Sequence, residues 1–168
     1  MKKISGAIVL AFLALACQKN EAVSEFTGNE TTYSLQPGSQ FAVSGTVVFK
    51  ERKDGKISAT IALKGTSGDA QFPVHLHMGD ITTPAADIAL LMNPVAGKSG
   101  TSETTFDRLA DESVINYSRL TSLQACVKIH LGDTGADRDV ILAAGNIGAA
   151  VANSNSGGRL GVSVCKSE

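Results

Sequence analysis

Beyond Phe41 the chain is divided into short runs rich in Val, Ile, Thr, Ala and Leu, each closed by glycine, proline, asparagine or aspartate. Runs this short do not make helices of ordinary size, and their even spacing predicts an all-β fold, an antiparallel β-sandwich or Greek-key barrel. Phe41 to Phe49 and Ile57 to Leu63 flank Lys53-Asp54-Gly55, and an Asp-Gly pair between β-formers predicts a hairpin. Further strands are expected at Phe72 to Met78, Ile88 to Met92, Thr101 to Phe106, Leu123 to Leu131, Val140 to Ala144, Ile147 to Ala152 and Arg159 to Val164. A loop at Asn153 to Gly158 would join the last two. Only Arg108 to Leu120, with Leu109, Val114, Ile115 and Leu120 in partial helical spacing, leaves room for one short helix.

The N-terminal segment carries a different signal. Lys2 and Lys3 precede an apolar stretch from Ile4 to Ala16, too short for a permanent membrane span, so residues 1–16 read as a signal peptide. Ala14-Leu15-Ala16-Cys17 resembles the bacterial lipobox, which implies cleavage before Cys17 and lipidation of that residue; ordinary cleavage after Ala16 would instead leave a thiol. Two or three acyl chains would anchor the protein stably, which makes the membrane its first expected partner and the cell envelope, on the outer-membrane or periplasmic side, its expected location. Residues 17–40 are polar, include a Pro37-Gly38 turn and read as a flexible tether, with the folded domain at 41–168.

With Cys17 lipidated, Cys126 and Cys165 are the two cysteines left. An oxidising compartment would allow them to bridge, worth roughly 4 kcal/mol on the chain-entropy model; two buried thiols are the alternative. Lys and Arg number 15 against 16 Asp and Glu, which leaves no field to gather nucleic acid. Trp is absent and aromatics make up 5%, so the flat platforms that favour sugars are scarce.

All three histidines fall in two strand-like segments, Val74-His75-Leu76-His77-Met78 and Val127-Lys128-Ile129-His130-Leu131. Alternate residues of a strand share a face, so His75 and His77 point together, opposite Val74, Leu76 and Met78. The second segment places Lys128 and His130 opposite Val127, Ile129 and Leu131. Should the two strands be neighbours with their apolar sides inward, His75, His77 and His130 would meet on the outer face of one sheet. Three imidazoles suit Zn or Cu, with a position open for water or a carboxylate. Asp80 and Asp133 are the nearest carboxylates in sequence to support them, while Lys128 on the same face would repel a dication.

Val43 to Phe49, His75-Leu76-His77, Leu90 to Thr104, Ile129-His130-Leu131 and Ala144-Gly145-Asn146-Ile147-Gly148 follow one another in an order that resembles the CHRD domain, in the version carried by lipoproteins of the Bacteroidetes type. That resemblance spans about Phe41 to Gly148 and implies an exported β-rich binding or structural module with no assigned reaction. The same positions are distantly similar to Cu/Zn superoxide dismutase, whose H-x-H strand, later lone histidine and closing glycine-rich strand have counterparts here. Carried over, the similarity implies that His75, His77 and His130 are three of four copper ligands. No fourth histidine exists to bridge to zinc, Ala144 stands in place of the family's cysteine, and Arg138 lies farther from Gly145 than the family's active-site arginine does from its glycine. Dismutase activity is therefore not expected.

Other chemistry finds little support. Asp133, Asp137 and Asp139 do not follow the order of an EF-hand loop and read as a polar turn, and neither a phosphate-binding glycine loop nor a G-x-S-x-G elbow is present. Three function classes remain: a non-catalytic binding or structural module tethered to the envelope with an unknown envelope or extracellular ligand, a copper- or zinc-binding envelope protein for metal buffering or oxidative protection, and, disfavoured by the few aromatics, a small-molecule or glycan binder using loops such as Gly79 to Asp87 and Gly132 to Asp139.

Overall fold

The computed structural model describes residues 23–83, 86–154 and 162–163. Eight strands follow in chain order: β1 (Phe26–Pro37), β2 (Ser44–Arg52), β3 (Ile57–Lys64), β4 (Gln71–Met78), β5 (Ile88–Ala96), β6 (Thr101–Phe106), β7 (Gln124–His130) and β8 (Ile141–Gly148). Helical structure is confined to short pieces: α1 (Tyr117–Ser122), α2 (Gly135–Asp139) and a 3-10 turn over Ala149–Ser154.

The strands close into an antiparallel barrel in the order β1-β2-β3-β6-β5-β4-β7-β8. Between β3 and β4, and again between β6 and β7, the chain passes over two strands, so β7 returns to lie beside β4 in Greek-key order. Two seams are thin. β5 meets β6 through Ala96↔Thr101 alone, and β1 meets β8 only at Gln36↔Ala144 and Pro37↔Ala143. The barrel is thus two four-stranded sheets joined at their corners, which reconciles the sandwich and barrel expectations. Where β5 and β6 part, Asn93 replaces the ladder: its N–H donates to Thr104 Oγ1 (2.9 Å), its side-chain amide donates to the Glu103 carbonyl (2.7 Å) and its carbonyl accepts from Ser102 Oγ (2.7 Å).

Alternation along the strands fills the interior. Val47 and Phe49 of β2, Ile57, Ala59 and Ile61 of β3, Leu76 of β4, Val127 and Ile129 of β7 and Ile147 of β8 are all buried in one apolar cluster. Each large side chain removed from water in this way stabilises the barrel by roughly 1.5–3 kcal/mol. Backbone approaches closely where the seam narrows: a Cβ on Gly145 would run into the Ser34 carbonyl oxygen, so only glycine lets β8 lie against β1. The expected hairpin forms between β2 and β3, with Gly55 at φ 83° and the Asp54 carboxylate accepting from the Lys56 N–H.

Several expectations need correction. The segment read as a tether, 17–40, contains β1, so the barrel already includes Phe26–Pro37 and does not start at 41. One side of β1 is solvent-exposed and only Leu35 is fully buried, so its apolar alternation is faint; pairing with β2 over Glu30↔Lys50 to Leu35↔Gly45 holds it. Conversely, Phe41 to Val43 precede β2 rather than start it. Val140 to Ala144 and Ile147 to Ala152 are not two strands: β8 runs through Gly145 and gives way to the 3-10 turn. The polar turn after β7 coils into α2. Of the expected strand Arg159 to Val164, residues 162 and 163 are described and are not in a strand. The signal peptide, Cys17 and Cys165 lie outside the described residues; Cys126, the partner proposed for Cys165, is buried.

Candidate metal centre

β4 and β7 are neighbours, as the histidine argument requires. Their register sets Val74 against Ile129, His75 against Lys128, Leu76 against Val127 and His77 against Cys126. Val74, Leu76, Val127 and Ile129 line the interior, and alternation sends His75, His77, Cys126, Lys128 and His130 to the other face. His75 is the middle ring, with its centroid 4.6 Å from that of His130 and 5.6 Å from that of His77, and the His77 and His130 centroids are 6.3 Å apart.

This outer face is not bare. Residues 79–83 and 86–87 lie over it, fixed by the Ile81 N–H donating to Asn146 Oδ1 at 2.8 Å, and Ser163 lies across the first of these segments, donating from N–H to the Ile81 carbonyl (3.0 Å) and from Oγ to the Thr82 carbonyl (2.9 Å). Ile81 joins Cys126, Ile141 and Ala144 in a second apolar cluster on this side of the sheet. His77 and His130 are fully buried in consequence, and His75 is mostly so.

Main-chain carbonyls orient two of the rings. Nδ1 of His77 stands 3.0 Å from the Ala86 carbonyl oxygen and Nδ1 of His130 stands 2.6 Å from that of Arg138. A carbonyl only accepts, so Nδ1 carries the proton in the neutral ring and Nε2 keeps its lone pair, the tautomer a metal ligand needs. Nδ1 of His75 is buried and makes no hydrogen bond. An unsatisfied buried ring nitrogen costs about 1–3 kcal/mol unless another partner, such as a metal ion, takes its lone pair.

All three rings are held below the ordinary imidazole value. Desolvation by burial, then repulsion from His130, His77 and Arg138, lowers His75 to about 4. His77 also falls to about 4, first through desolvation and then through Lys128 and His130, against the opposing hydrogen bond to Ala86. His130 is lowered too, again chiefly by desolvation. Neutral imidazole is the form that binds metal, so protons do not compete near pH 7.

One donor atom from each ring lies within 4.8 Å of the other two. Nitrogens sharing one ion at about 2.0 Å stand about 3.5 Å apart in a trigonal plane, so the set closes on an ion through small side-chain rotations. Among the described residues this is the only cluster of three or more His, Cys, Asp or Glu side chains arranged so. The three residues could therefore hold a metal ion. His75 also reaches a cleft of about 350 Å³ bordered by Gln71, Pro73, Leu91, Pro94 and Asp133, which gives the centre an open side.

The carboxylates expected to support the rings do not. Asp80 is occupied by its own turn, where its Oδ1 accepts from the Thr82 N–H (2.9 Å) and Thr82 Oγ1 (2.6 Å), and Asp133 is exposed at the cleft. The orienting groups at Ala86 and Arg138 are backbone atoms, which residue type does not advertise; only their place in the loops that follow β4 and β7 could have pointed to them. Compared with known proteins, the chain matches no family model, no curated protein and no solved structure.

Proposed function

We propose that this chain is an exported, lipid-anchored, CHRD-like binding module whose ligand is a single copper or zinc ion held by His75, His77 and His130. The observation that carries the reading is the gathering of three imidazole donor atoms within 4.8 Å of one another, one ring of which has a buried Nδ1 with no hydrogen bond. Such a centre would serve metal buffering or oxidative protection without turnover. When bound, the ion would supply a Lewis-acidic centre facing the cleft; the protein's part is to fix tautomers, exclude water from two rings and hold three donors in place. The sequence contains three histidines in all, too few for a second, bridged metal subsite of the dismutase kind.

Calorimetric titration of the exported chain with Cu²⁺ or Zn²⁺ at pH 7.5 tests this. Binding of one ion at micromolar affinity or tighter is expected, weakened at least 100-fold by His77→Ala with the barrel still folded by circular dichroism. Absence of binding to the wild type would remove the metal from the proposal and leave a module with an unknown envelope or extracellular ligand. The anchor is tested apart from the metal: Cys17→Ser should move the protein from the membrane fraction to the soluble fraction, because the acyl chains attach there.

A further inference from the structure

Lys128 stands opposite His75 in register and shares the outer face of β7 with His130. It is fully buried, and its Nζ donates to the Ser163 carbonyl at 2.6 Å. Among the described residues it is the only buried side chain of Lys, Arg, Asp or Glu. Of the carboxylates in this region, Asp87, Asp133 and Asp139 are exposed, where water screens them, and Asp80, half-buried, is engaged by Thr82 and Thr83 at its own turn; Arg138, half-buried, adds to the positive side. A charge inside the protein acts through an effective dielectric several times lower than that of water, so the Lys128 ammonium outweighs carboxylates of similar proximity. Its repulsion is already felt by two of the three rings, His77 and His130.

Building on the metal-site reading above, we propose that Lys128 determines which ion the centre accepts, setting it for Cu⁺ over Cu²⁺ and Zn²⁺. Repulsion between a fixed ammonium and a bound ion scales with the ion's charge, so a dication feels twice what a monocation feels. The donor set points the same way. Three neutral nitrogens bring no negative charge to offset a dication, and three-coordination suits Cu⁺, whereas Zn²⁺ and Cu²⁺ take four or more ligands and gain from an anionic one. The hydrogen bond to Ser163 holds the ammonium beside the rings rather than letting it reach solvent.

Dissociation constants for Cu⁺, Cu²⁺ and Zn²⁺ would be measured by competition with chromophoric chelators, anaerobically for Cu⁺, on the exported wild-type chain and on Lys128→Gln and Lys128→Met. Both variants remove the charge, and only glutamine keeps a donor for Ser163. The wild type should bind Cu⁺ most tightly, and in both variants the preference for Cu⁺ over each dication should fall at least tenfold. A structural disturbance would weaken all three ions together and leave the ratios in place, and that result overturns the assignment. A change confined to Lys128→Met would trace the effect to the Ser163 hydrogen bond and overturn it as well. If the wild type bound no ion at all, the metal centre itself would fall, whereas tight binding with unchanged ratios removes Lys128 alone.

Discussion

Acid should destabilise the metal-free barrel well before its carboxylates titrate, because three histidines are held largely out of water in their neutral form. A histidine at its ordinary 6.5 in the unfolded chain and at about 4 in the barrel is protonated earlier in the unfolded state. The unfolded chain then binds more protons between those values, so stability rises with pH across the window: it is complete above 6.5 and lost as pH falls toward 4. For His77, fully buried, the loss at pH 5 is about 2 kcal/mol. His75, which reaches the cleft, contributes less, for a combined loss of about 3 kcal/mol against a domain stability of about 5–15 kcal/mol. His130 is lowered as well and adds to the same slope. Urea unfolding in EDTA at pH 7.5, 6.5, 5.5 and 5.0 would show this as a midpoint lower by about 2 M at pH 5 than at pH 7.5, for a slope near 1.5 kcal/mol/M. Asp54, Asp80 and Asp111 lie below their ordinary 3.8 through hydrogen bonds at their own turns, so they stabilise above that value and leave this window untouched. A midpoint moving by less than 0.5 M, or an unchanged pH dependence in a His75→Gln, His77→Gln double variant, would refute the burial argument.

Three further outcomes follow from the fold. A chain starting at Phe41 lacks β1 and exposes both β2 and β8 as edges, so it should lose its cooperative urea transition, whereas removal of a true tether would leave the midpoint unchanged. Leu76→Ala removes a fully buried side chain beneath the histidines and should cost about 2–5 kcal/mol by urea unfolding; a loss under 1 kcal/mol would contradict the inward placement of that face. Gly145→Ala forces a methyl group against the Ser34 carbonyl and should cost about 1–3 kcal/mol, read as a fall in thermal midpoint, with no loss if the seam between β1 and β8 is looser than described.

Much of this molecule was legible one residue after another. Asp54-Gly55 fixes the hairpin because its turn geometry is local, and Val74, Leu76, Val127 and Ile129 declare an inward face because pleating alternates side chains whatever the rest of the chain does. The same rule separates His75, His77 and His130 from that face, so the candidate donors could be named from sequence. What makes them a site was decided elsewhere. β1 is polar on most of its length and becomes a strand only because β2 offers a partner; the Greek-key crossing brings β7 against β4; and the loops over their outer face bury His77, His130 and Lys128 and supply the carbonyls of Ala86 and Arg138. Period-two alternation tells which residues share a side, but whether that side meets water or protein depends on segments distant in the chain, and it is this cover, through desolvation, that keeps the imidazoles neutral and the lysine's charge effective.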